Sequence, residues 1–79
     1  MGKNFLNLSQ LPVGSGGVVS EVHNTGSMRR RLIDLGFCVG TKILCVGRAP
    51  LGDPKAFWVK GTVIALREED SQKIRVGIL

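Results

Sequence analysis

A small, mainly β barrel of about five short strands with one short α-helix is the fold this sequence predicts, and three observations predict it. Apolar and polar residues alternate in several short runs, the period of a half-buried strand. A single stretch, Met28 to Leu35, places apolar residues at helical spacing. Glycines and prolines at Gly14 to Gly17, Gly36, Gly40, Pro50 to Pro54 and Gly61 break the chain into pieces too short for anything but tight connections.

Leu6, Leu8, Leu11 and Pro12 precede the glycine cluster, so the chain opens with an extended lead or one 3₁₀ turn that tucks leucines onto the barrel and ends in a turn at Gly14 to Gly17. Over residues 18–23 the alternation sets Val18 and Val22 on one face and Glu21 and His23 on the other. Asn24, Thr25 and Ser27 are all good helix N-caps, and Met28, Leu32 and Leu35 then share one face of a helix. Gly36 stands where a left-handed residue ends it. From Thr41 to Ala49 apolar groups occur on both sides, Ile43 and Cys45 against Leu44 and Val46, which predicts a strand covered on two faces. Two prolines make residues 50–54 a hairpin loop. Strands over 55–60 and 62–67 follow, with Gly61 as a bend or bulge, then a 3₁₀ turn over Glu68 to Gln72. The last strand, 73–78, turns Ile74, Val76 and Ile78 inward and Lys73 and Arg75 outward. Such a set fits a partly open barrel of the SH3-like or OB kind.

At 79 residues, one domain spanning 1–79 is expected. A chain of this size hides only about 60% of the surface it exposes when unfolded. No apolar run approaches the roughly 20 residues that cross a bilayer, and the start lacks the apolar core of a secretory signal, so a cytoplasmic protein with no direct membrane insertion is expected. Cys38 and Cys45 then read as reduced, buried thiols. Eleven Lys and Arg against six Asp and Glu, net +5, point to an anionic partner surface.

Catalysis finds no support. One histidine, His23, allows no nucleophile–base arrangement, and no closely spaced ligands suggest a metal site, so no cofactor and no metal ligands are expected. Gly14 to Gly17 lack the Lys-Ser/Thr of a phosphate loop. Contact is the stronger theme. Arg29, Arg30 and Arg31 begin the helix, where its dipole disfavours each cation by about 0.3–1 kcal/mol, so a partner-facing patch is expected of Arg29 and Arg30 above all. The bland alternative is a solvated face with Arg30 loosely paired to Asp34. Leu51 tips a Pro-Gly loop where an apolar side chain gains nothing unless it meets a partner, with Gly52 and Asp53 shaping the turn beside it. Phe57 and Trp58 point to opposite faces, so one is core and the other, Trp58 in the partner-binding set, extends the apolar contact.

Taken together, Arg31 to Gly36, Gly40 with Thr41, Arg48 to Pro54, Gly61 with Thr62, Ala65 to Arg67 and Ile74 with Val76 resemble, in order and spacing, the ferrous iron transport protein A (FeoA) family over residues 6–78. The resemblance implies an SH3-like barrel at the inner face of the membrane, held there by a large ferrous iron permease with a GTPase domain (FeoB type). It implies a protein that regulates or assembles that permease and is not itself an enzyme, with transition-metal binding only as a weak trait of the family. Neither the cysteines nor His23 belong to its motifs. Two other readings stand beside it: a basic nucleic-acid-binding barrel, disfavoured by three Phe, one Trp and no Tyr for base stacking, and a cytoplasmic metal carrier. An open strand edge also leaves a homo-oligomer in view.

Overall fold

A computed structural model describes residues 5–78, and its elements follow one another as β1 (Phe5–Asn7), a 3₁₀ turn (Leu8–Gln10), β2 (Gly16–Val22), α1 (Gly26–Leu35), β3 (Lys42–Arg48), β4 (Lys55–Val59), β5 (Thr62–Leu66), α2 (Glu68–Ser71) and β6 (Ile74–Ile78). The strands form one 6-stranded antiparallel sheet in the order β1-β6-β2-β3-β4-β5. Strands β2 to β5 are sequential neighbours, whereas β6 returns to the far side of β2 and places β1 beyond it. This sheet curls around one core in which Phe37, Phe57, Leu8, Leu11, Leu32 and Ile43 are wholly buried. The fold is thus mainly β, as expected.

The helix forms for the expected reasons. Leu32 is buried while Met28 and Leu35 pack against the core from the same face. Gly36, at φ +112°, then reverses the chain, and the N–H groups of Gly36 and Phe37 close onto Ile33 O and Leu32 O at 3.0 and 2.9 Å. Asn24 fixes the helix entry from outside, its amide donating to Asp70 O at 3.0 Å.

Several details depart from the pattern. The expected first strand is the second, because Phe5–Asn7 adds a strand along β6, so α1 lies between β2 and β3. Gly16 and Gly17 belong to β2 and not to a turn; only Gly14, at φ +93°, turns the chain. A register shift between Val19 and Glu21 puts Val19 and Val22 inward and leaves Val18 half-buried, since one extra residue flips the face that strict alternation assigns. In β3, Ile43 and Cys45 are buried but Leu44 is half-buried and Val46 exposed, so only one face is covered. Ile78 is exposed near the end of β6, Cys38 is half-buried, and residues 68–71 form a turn of α-helix. The bend expected at Gly61 between two strands takes the form of a two-residue hairpin turn, made by Lys60 and Gly61 at φ +49° and +85°.

Gly17 lets β2 and β6 approach. A Cβ there would stand 2.9 Å from Gly77 O and 3.1 Å from Val76 Cβ. Gly17→Ala is expected to cost about 1–3 kcal/mol, the usual penalty of overpacking against backbone. Gly47→Ala, which meets nothing within 4 Å, is the control and is expected to be close to neutral. Equal urea midpoints for the two variants would refute this account of the strand contact.

Candidate partner-docking surface

The connection between β3 and β4 begins with a tight turn. Gly52 N–H donates to Ala49 O at 2.8 Å, which closes a four-residue turn with Pro50 at its second position, where a fixed φ is favoured. Leu51 occupies the third position, on the outer corner, and is 97% exposed. Ala49 N–H donates to Pro54 O at 2.9 Å and shuts the base of the loop.

Two further contacts brace that base against the body. Asp53 Oδ1 accepts the N–H of Glu68 at 2.9 Å. Glu68 opens α2, and its N–H is among those that an α-helix leaves without an internal partner. Lys55, where β4 starts, donates through Nζ to Ser9 O at 2.7 Å and to Leu11 O at 3.1 Å, tying the loop exit to the N-terminal 3₁₀ turn. The joint where Ser9, Gly52, Asp53, Lys55, Leu66, Glu68 and Ser71 meet encloses only about 10 Å³. No metabolite fits there, as ligand pockets run to about 300–1,000 Å³. The arrangement holds a leucine rigidly in solvent. Asp53→Ala is expected to remove about 1 kcal/mol, the scale of a lost N-terminal cap, and to speed amide exchange over residues 68–71. Unchanged exchange there would show that the carboxylate does not hold the helix.

The other expected contact residues lie elsewhere. Arg29 reaches back from α1 and donates through Nη1 to Val22 O at 2.5 Å, so its guanidinium also anchors the helix start to the end of β2. Arg30 is exposed and lines a shallow depression with Gly26, Arg29, Ile33 and Asp34. The loose pairing of Arg30 with Asp34, which belongs to the alternative reading, is not formed; among the described residues the one contact between a carboxylate and a basic side chain is the hydrogen bond of His23 Nε2 with Glu21 Oε1 at 2.6 Å, both exposed. Trp58 stands on the outer face of the sheet, 37% exposed, while Phe57 is buried. Register puts Trp58 opposite Leu44 on β3 and Val63 on β5, an outer apolar row. The structure therefore joins Leu51, Gly52 and Asp53 in one braced loop and sets the arginines and Trp58 on separate surfaces. Sequence reasoning missed the tethers of Arg29 and Lys55 and the row through Trp58, because each depends on which strands become neighbours.

Among the described residues, no three His, Cys, Asp or Glu side chains converge as metal ligands would. No helix there is long and apolar enough to cross a membrane.

The family model described as the FeoA domain matches residues 6–77. A curated Fe(2+) transport protein A/Fe(2+) transporter FeoB fusion protein of Porphyromonas gingivalis is 35% identical over 74 residues, 94% of this chain, which spans 9% of that relative's length. The solution structure of FeoA from Chlorobium tepidum superposes with a TM-score of 0.88 at 36% identity, covering 94% of this chain and 70% of that one. A zinc-complexed FeoA of Stenotrophomonas maltophilia, described as a prokaryotic SH3 domain protein, superposes at 0.78 with 33% identity, covering 87% of this chain and 86% of that one.

Proposed function

This chain belongs to the FeoA family of ferrous iron transport, and from that premise we propose that it is a small cytoplasmic accessory protein that docks on a GTPase-containing ferrous iron permease and regulates or assembles it. One observation carries the docking part of this reading: Leu51, 97% exposed, is held out on a loop closed at its base and braced by Asp53 and Lys55. A fully solvated leucine contributes nothing to folding, yet its burial against a partner is worth about 1.5–3 kcal/mol. Bracing the loop also lowers the ordering cost that binding would otherwise incur.

In this reading Leu51, Gly52 and Asp53 form the centre of contact. Arg29 and Arg30 supply a cationic surface for acidic groups of the permease, and Trp58 offers a second apolar anchor. The identity of the partner is supported by the Porphyromonas gingivalis relative, in which an A-type segment and the FeoB transporter share one polypeptide. The protein acts by contact and catalyses nothing, a reading supported by a lone histidine engaged with exposed Glu21.

Co-purification with the intact permease from cells tests the proposal. Wild-type chain is expected to be retained, Arg30→Glu reduced and Leu51→Asp lost. Equal retention of all three would overturn the assigned surface, and absence of retention even for wild type would overturn the partner.

A further inference from the structure

We propose a second binding site: the groove between α1 and the edge strand β5, which takes an extended, apolar peptide segment bearing acidic residues and pairs it as an added strand. This site goes beyond the permease-docking reading and does not rest on it, since it shares no residue with the turn that carries Leu51.

The backbone argument comes first. Because Lys60 and Gly61 form a two-residue turn, the flanking pair Val59 and Thr62 exchange hydrogen bonds, and so do Phe57 with Ile64 and Lys55 with Leu66. Val63 and Ala65 therefore point their N–H and C=O groups away from β4. In the strand order β5 is terminal, so these groups face an edge that no other strand of the sheet occupies. Natural edges are commonly protected by lysine, proline or a bulge, and β5, which reads Thr62, Val63, Ile64, Ala65, Leu66, contains none of these.

Side chains add selectivity. Beside this edge lies a groove of about 200 Å³ lined by Met28, Arg31 and Leu35 of α1 and by Ile64, Arg67 and Asp70 among others. Met28, Leu35 and Ile64 are half-buried and make an apolar floor. Arg31 and Arg67 are exposed and, against the single carboxylate of Asp70, leave the groove cationic. An extended peptide presents alternate side chains to the two faces of the sheet, so the set on the groove side would lay apolar groups on the floor and acidic ones against the guanidinium groups of the same lining. A second copy of this chain fits less well. Two-fold pairing of β5 on itself would set Arg31 and Arg67 near their own duplicates, in a protein of net charge +5.

The test uses the isotope-labelled full chain and a capped synthetic octapeptide in which threonine alternates with valine and glutamate, so that valine and glutamate share one face. The expected result is shifts along residues 62–67 and 28–35, slowed amide exchange at Val63 and Ala65, and affinity about tenfold above that of the same peptide with lysine for glutamate. Ala65→Pro removes an outward N–H that no strand of the fold uses, so it should keep the folded spectrum and lose the peptide. Arg67→Glu should weaken the glutamate peptide about tenfold and leave the fold intact. Wild-type affinity in Ala65→Pro, or shifts confined to residues 49–54, would overturn the proposal. Shifts of Val63 and Ala65 that follow protein concentration without peptide would overturn it too, assigning the edge to a second copy.

Discussion

Phe57→Ala is expected to lower the thermal midpoint by about 12–40 °C, because truncating a buried phenylalanine costs about 3–5 kcal/mol and each kcal/mol moves a domain of this size by about 4–8 °C. Phe57 is wholly buried at the centre of β4, between Cys45 on β3 and Ile64 on β5. Its removal leaves a cavity with core neighbours on every side, and the sheet cannot collapse into it without breaking the pairings that hold its register. Folded domains retain only about 0.05–0.15 kcal/mol per residue, so the loss consumes a large share of the total. Trp58→Ala next door is the contrast. That side chain is 37% exposed on the outer face, and its truncation is expected to shift the midpoint far less despite its greater size. Melting curves followed by circular dichroism decide the matter, and equal shifts for the two variants would contradict the placement of the core.

Leu51→Asp is expected to weaken permease binding by about 30–100-fold, since losing one buried leucine and burying a carboxylate in its place together exceed about 2 kcal/mol, and each 1.4 kcal/mol is tenfold. The same change should leave the melting temperature within experimental error, because a side chain 97% exposed has no intramolecular contacts to lose. That dissociation of effects separates a contact residue from a packing residue. The outcome against the proposal is a variant that binds as wild type in a titration of the purified permease, or one that loses binding only because it melts early. Arg29→Glu carries a different expectation from Arg30→Glu: Arg29 also donates to Val22 O, so its replacement should lower stability as well as binding.

The parts of the fold legible from sequence were those governed by local rules. Helix α1 was readable because Met28, Leu32 and Leu35 repeat at its period and Gly36 supplies the positive φ that ends it. Strand β4 was readable because Phe57 and Trp58 must face opposite ways, and the burial of Phe57 shows which is inward. Reading failed where strands meet. Val18 and Ile78 look like core residues by alternation, and Val46 like part of a second covered face, yet the bulge after Val19, the cover of β3 on one face alone and the proximity of Ile78 to the end of its strand leave them less than buried. The short strand at Phe5–Asn7 escaped notice because three residues carry too little periodicity to announce themselves; it exists because β6 offers it an edge.

The candidate site divides along the same line. Composition and turn chemistry placed Leu51 on a loop tip, since Pro50 and Gly52 demand a turn and a turn corner faces outward. The chain's own family was also readable, from short motifs whose order and spacing match it along nearly the whole chain. What braces that leucine was decided by tertiary structure alone: Asp53 meets Glu68 and Lys55 meets Ser9 only after β4, α2 and the N-terminal turn have been brought together. The groove beside β5 is of the same kind. Backbone groups become an open edge only when the sheet order leaves them without a neighbour, and Arg31 and Arg67 flank it only because α1 packs alongside. A sequence specifies what each segment can do within a few residues of itself; which distant segments meet is settled by packing, whose rewards come from surfaces that do not exist until the chain has folded.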